Sequence, residues 1–196
     1  MLPGRTIFVT SCCVAALLLG GLAVARSKTL SFALADASGR THSAEELQHH
    51  KATVLLFVAT ECPNANTYAP VLGRLYHEYS TRGVLFLAVY SDPADNVAAV
   101  QKHDADYQIP YPGLLDPRQT LARQTGARST PEAVILGPAG EELYRGRVDD
   151  RFVDLGKTRF RPQHQDLREA LDQILAGQPV KNAVTKVLGC AIPGVD

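Results

Sequence analysis

Residues 54–70 read VLLFVATECPNANTYAP, and this stretch decides the fold. The continuous apolar run, with its β-branched members, suits a strand buried on both faces of a sheet. It gives out at Ala59-Thr60-Glu61, and Cys62 then stands directly before Pro63. Proline fits the first turn of a helix, where its missing N–H costs nothing. The stretch therefore predicts a strand that delivers a cysteine to the start of a helix. Unpaired N–H groups of the first turn favour a thiolate there and lower a cysteine pKa from its free value of about 8.5. Glu61 opposes that shift, because a neighbouring carboxylate disfavours a second negative charge. Moderate activation is expected. Three residues on, where a second cysteine would complete a local dithiol, stands Ala65.

Downstream, PNANTYAPVLGRLYHEYSTRG places Leu72, Leu75, Tyr76 and Tyr79 at helical spacing, with a kink expected at Pro70 and a stop at Gly83. VLFLAVYSD is a second buried strand, followed by a helix over PADNVAAVQKHDADYQ, an extended link at YPGLLDP and a short helix ending at Gly126. EAVILGPAGEELYRGR reads as a hairpin turning at Gly137-Pro138-Ala139-Gly140. QDLREALDQILAG is an amphipathic helix with Leu167, Leu171, Ile174 and Leu175 on one face and Gly177 at its end. Upstream, LSFALADASGRTHS alternates and turns at Ser38-Gly39, a short β extension; SAEELQHH predicts a short helix capped by Ser43, with Glu46 completing a capping box. This order specifies an α/β fold, a mixed central sheet with helices on both faces, whose first β-α-β crossover is right-handed.

The N-terminus has a different character. After Arg5, TIFVTSCCVAALLLGGLAVA carries no charge and ends in Ala23-Val24-Ala25, a small-x-small cleavage pattern. Residues 1–25 are expected to be a signal peptide; the alternative is an uncleaved anchor over residues 6–25, just long enough to span a bilayer. Residues 26–178 are then the folded domain and 179–196 a C-terminal tail. Export places the chain in a periplasmic or extracellular compartment that permits disulfides. With Cys12 and Cys13 in the leader, Cys62 and Cys190 are the cysteines that remain. The 20 basic and 20 acidic residues balance, so nothing global favours nucleic acid or an anionic membrane surface.

LSFALADASGRTHSAEEL, KATVLLFVATECP, GARSTPEAVILGPAGEELYRGRVDD and the last amphipathic helix occur in that order. Together they resemble the redoxin branch of the thioredoxin-like superfamily, the alkyl hydroperoxide reductase and thiol-specific antioxidant type of domain, over roughly residues 30–177. The resemblance implies a three-layer thioredoxin-like fold. It also implies a cis Thr130-Pro131 bond lying against Cys62, with Thr130 offering backbone groups to an extended peptide. The tail, with Gly189-Cys190, resembles a subset of exported bacterial redoxins that carry a lone active-site cysteine.

The activity implied is that of a thiol-disulfide oxidoreductase with Cys62 as nucleophile. The candidate catalytic residues are Cys62, Cys190, Thr130 and Pro131. The expected partners are a thiol- or disulfide-containing protein and an electron donor, with no cofactor and no metal. Three assignments stay open for Cys190: resolving cysteine, structural disulfide partner, or unrelated free thiol. One alternative is a non-catalytic binding module with a fixed Cys62–Cys190 bridge, or one handling Cu(I), which soft thiolates suit. Another is a peroxidase of the Pro-x-x-x-Thr-x-x-Cys type, although Leu55 and Ala59 occupy the proline and threonine places and Thr60 is one residue out of register. A copper site of the Sco type needs a second cysteine where Asn66 stands, and His42, His49, His50, His77, His103 and His164 form no ligand pattern. Asn66 is expected either to hydrogen-bond near the sulfur or to face solvent. YRGRVDDRFVDLGKTRFRP interleaves arginines with aspartates, as a lid or partner surface, or as a solvated loop held by its own ion pairs.

Overall fold

The computed structural model describes residues 30–154 and 156–195; the expected leader lies outside them. In chain order, β1 (Ala33–Ala35) and β2 (Thr41–Ser43) form an antiparallel hairpin, followed by a 3₁₀-helix over Ala44–His49. Next come β3 (Ala52–Val58), α1 (Pro63–Ser80), β4 (Val84–Tyr90), α2 (Val97–Tyr107), β5 (Gly113–Leu115) and α3 (Thr120–Thr125). Then follow β6 (Ser129–Thr130), β7 (Glu132–Leu136), β8 (Glu142–Gly146), a small hairpin of β9 (Phe152–Asp154) and β10 (Lys157–Thr158), α4 (Asp166–Leu175) and β11 (Cys190–Ala191).

The central sheet has the order β5-β4-β3-β7-β8, with β5, β4 and β3 parallel and β7 and β8 antiparallel to their neighbours. All seven residues of β3 are buried, as its continuous apolar run requires of a strand covered on both faces. The two-residue period divides them. Val54, Leu56 and Val58 pack with Leu72, Leu75 and Tyr79 of α1 and Leu167 and Leu171 of α4. Leu55 and Phe57 pack on the other face with Leu47, Leu121 of α3, and Ile192 from the tail. This is the three-layer, mixed-sheet arrangement expected for a thioredoxin-like domain.

Several local expectations change. YPGLLDP is more than a link: its Gly113–Leu115 pairs with Ala88–Tyr90 as the sheet's edge strand. Gly113 permits the approach, since a Cβ there would come within 2.8 Å of the Tyr90 ring. Ser43 occupies the N-cap position of the 3₁₀-helix but makes no side-chain cap bond. Glu46 turns instead to His42 Nδ1 at 2.9 Å and to Arg40, so the capping box does not form. Helix α2 begins at Val97 rather than at Pro93, because Asn96 caps it by accepting from Ala99 N at 3.0 Å. Pro70 sits inside α1 without ending it.

The arginine-aspartate segment is no simple solvated loop. Asp149 and Asp150 are both buried. Burial pushes the Asp150 carboxyl up, but the backbone N–H groups of His164 and Gln163, with Arg159, outweigh it and hold it below its usual range. Asp149 accepts from the Tyr68 hydroxyl on α1. Arg147 Nε donates to Asp166 at 2.8 Å, which ties this segment to the start of α4.

Beyond Gly177 the chain returns across the domain. Arg145 N donates to Ala183 O at 2.8 Å and Thr185 N to Arg145 O at 3.0 Å, so the tail follows the outer edge of β8. It then reaches β6, where β11 pairs antiparallel.

Candidate functional site: two cysteines across the Thr130 edge

The turn after β3 sets the first cysteine. Cys62 N donates to Ala59 O at 3.1 Å, and Cys62 O accepts from Asn66 N at 3.0 Å. Cys62 is therefore the N-cap residue of α1, with Pro63 as the first helical residue; its side chain makes no cap hydrogen bond. It is 2 % exposed, and its Sγ lies 3.2 Å from the carbonyl oxygen of Thr130. Thr130 is buried and its bond to Pro131 is cis.

The tail supplies the second cysteine. Cys190 pairs with Thr130 and Ala191 with Ser129 in an antiparallel ladder. This register brings the Cα atoms of Cys62 and Cys190 to 6.2 Å, and their sulfurs form a disulfide that spans 128 residues. Such a separation is ordinary for a bridge. Gly189 makes the register possible: a Cβ there would come within 2.2 Å of Thr130 O. Downstream, Ile192 N donates to Arg128 O at 2.9 Å, and Ile192 and Val195 are buried against the apolar cluster around Leu121 and Ala122. Gln119 Nε2 donates to Ser91 O at 3.2 Å and also to Pro193 O, and Arg123 Nη2 donates to Gly194 O at 3.0 Å. The fold thus brings Cys62, Cys190, Thr130 and Pro131 to one place. The disulfide removes the free-thiol assignment of Cys190 and leaves the resolving and structural ones.

A polar network beneath the cysteine turn was not legible in the sequence. Thr60 Oγ1 donates to Asp95 Oδ1 at 2.6 Å. Asp95 is buried, and burial pushes its carboxyl up although the Thr60 bonds pull it down. Its Oδ2 has no hydrogen-bond partner among the described residues. Asn66, half-buried, is bonded within the turn: Nδ2 donates to Thr60 O at 3.1 Å, and Oδ1 accepts from His103 Nε2 at 2.8 Å. His103 Nδ1 meets the Tyr90 hydroxyl at 2.8 Å, and that hydroxyl meets Asp104 Oδ1 at 3.1 Å. Burial pushes His103 down and Asp104 up to about 6.

His103 Nε2 carries a proton, because it faces an amide oxygen. The Tyr90 hydroxyl donates to Asp104 Oδ1, while its 2.8 Å bond to His103 Nδ1 takes its direction from the imidazole tautomer. The signals were the polar residues on the inner face of α2, but their partners lie 37 and 13 residues away, beyond the reach of local spacing.

An open cleft of about 630 Å³ between α1 and α2 is lined by Glu61, Pro63, Asn66, His103 and Tyr107 among others. A smaller cavity of about 100 Å³ borders both cysteines, with Glu61 and Asp92 beside them. Among the described residues no group of three or more histidine, cysteine or acidic side chains is placed to hold a metal ion, and no helix is long and apolar enough to cross a membrane.

The chain is 27% identical to the thiol-disulfide oxidoreductase ResA of Halalkalibacterium halodurans over 135 residues, which cover 68% of this chain and 75% of that protein. A crystal structure of an uncharacterized conserved protein from Geobacillus kaustophilus superposes with a TM-score of 0.74 at 29% identity, covering 85% of this chain and 89% of that one. A hypothetical protein from Sinorhizobium meliloti 1021 superposes at 0.73 with 26% identity, covering 84% and 91%. The sequence profile of the AhpC/TSA family matches residues 25–142, more than half of the chain, and the protein belongs to that family.

Proposed function

We propose that this protein is an exported thiol-disulfide oxidoreductase in which Cys62 and Cys190 are the working redox pair. The observation that carries this reading is the disulfide between a cysteine at the N-cap of α1 and one on a surface strand paired with Thr130. The similarity to ResA supports the reaction class, and the uncharged N-terminal stretch ending in Ala23-Val24-Ala25 supports export.

In the reducing direction the Cys62 thiolate attacks a partner disulfide, and one partner sulfur leaves as a thiolate. Cys190 then attacks Cys62 Sγ, releasing the second partner sulfur and forming the intramolecular disulfide. Two electrons pass to the partner, and a donor dithiol restores the pair. With the tail seated, Cys62 is covered, so a protein disulfide meets Cys62 only when β11 has left Thr130. The buried Thr130 backbone then presents to the partner the edge that β11 otherwise occupies.

The test is reduction of model protein disulfides. Cys62→Ser loses turnover, and Cys190→Ser stalls as a mixed disulfide on Cys62. A Cys62→Ser protein with full reductase activity ends the proposal. A structural staple is the second reading, favoured by the burial of Ile192 and Val195 around the bridge. Peroxidase chemistry draws less support, because the Thr60 hydroxyl is committed to Asp95.

A further inference from the structure

The two sulfurs of the disulfide are not equivalent targets. Cys62 is 2 % exposed and belongs to the apolar cluster under α1. Cys190 is only partly buried, and both its neighbours, Gly189 and Ala191, are exposed. The cavity flanked by Glu61 and Asp92 borders both sulfurs, so the difference in access lies in the burial of Cys62.

The leaving groups differ in the same sense. A thiolate released at Cys62 sits at the N-terminus of an 18-residue helix, beside unpaired N–H groups. A thiolate released at Cys190 sits on a two-residue surface strand with no helix end behind it. Exchange is faster when the departing thiol has the lower pKa. Access and leaving-group chemistry therefore agree.

Building on the oxidoreductase reading, we infer that the donor thiol attacks Cys190, whereas the substrate disulfide is handled by Cys62. The donor sulfur bonds to Cys190 Sγ, the Sγ–Sγ bond breaks, and the electron pair departs with Cys62. A second thiol of a dithiol donor, or a second monothiol, then attacks the donor sulfur and frees Cys190 as a thiol. One donor disulfide and one reduced protein result, a balanced two-electron exchange. The two half-reactions thus use different sulfurs, and the tail cysteine is the donor's docking point.

The experiment uses the full oxidised chain. It is mixed briefly with 2-mercaptoethanol, quenched by alkylation at a series of early times, and mapped by peptide mass spectrometry. The expected result is the mercaptoethanol adduct on Cys190 with alkylated Cys62, exceeding the reverse pattern by roughly tenfold. Equal adducts, or an excess on Cys62, overturn the inference while leaving the redox pair standing. A bridge that dithiothreitol does not open in the folded protein overturns the oxidoreductase reading and the inference together.

Discussion

The two cysteines of this protein sit in opposite kinds of place. Cys62 is fixed by the most regular part of the fold: a fully buried strand, a tight turn and an 18-residue helix. Cys190 is fixed by a tail whose regular structure is a two-residue strand, held by Gly189 against Thr130 and by Ile192 in the core. The first place tunes a sulfur; the second brings a sulfur to it. That division is what a redox pair needs when Ala65 has removed the local partner, and each perturbation of the chain should fall on one side of it.

The largest effect is expected from the cysteines themselves. Loss of either removes a cross-link over 128 residues, worth up to roughly 5 kcal/mol in the chain-entropy account. Cys62→Ser and Cys190→Ser should therefore destabilise the oxidised protein alike in urea, yet differ in chemistry: the first abolishes turnover and the second traps the partner. Gly189→Val comes next. Its side chain would collide with Thr130 O, so β11 cannot take its register, and thiol titration in air should find two free thiols long after the wild type has closed. Ile192→Ala empties a buried site and should cost about 2 kcal/mol. Because that site anchors the tail, the loss should be smaller in the reduced protein than in the oxidised one.

A pH effect separates the helix side from the tail side. Burial raises Asp104 to about 6 from 3.8, so the folded state holds its proton more tightly than the unfolded state does. The associated stability is present below the unfolded value and is lost as pH rises through the interval from 3.8 to about 6. In Asp104→Asn the same interval should show a shallower fall, read as the difference between the two proteins' denaturation midpoints across it. Smallest of all, Phe160→Ser should change stability by no more than about 0.5 kcal/mol, since that ring is 96 % exposed.

Much of the Cys62 side could be read in the chain, because its information is local. The run from Val54 to Val58, the Cys-Pro junction and the spacing of Leu72, Leu75 and Tyr79 each depend on neighbours within one element. The Cys190 side was only partly legible. VLGC offered a glycine and a cysteine, but not the reason for the glycine, which is a carbonyl 59 positions upstream in a different element. The network from Thr60 through Asn66 and His103 to Asp104 was missed for the same cause. Its members lie on the turn after β3, on α1, on β4 and on α2, and no periodicity links them. In the arginine-aspartate segment the ion pairs Arg159–Asp150 and Arg151–Asp149 match the expected pairing of its own charges, but composition does not show the backbone N–H groups that gather around Asp150.

A working redox pair requires that the bridge open and close in use. Equilibrating the folded protein in graded dithiol buffers, and counting thiols by alkylation, gives its reduction potential directly. A working pair has a potential in the range of thiol-exchange proteins, about −120 to −270 mV. A bridge still closed below about −300 mV is a structural staple and not a redox pair.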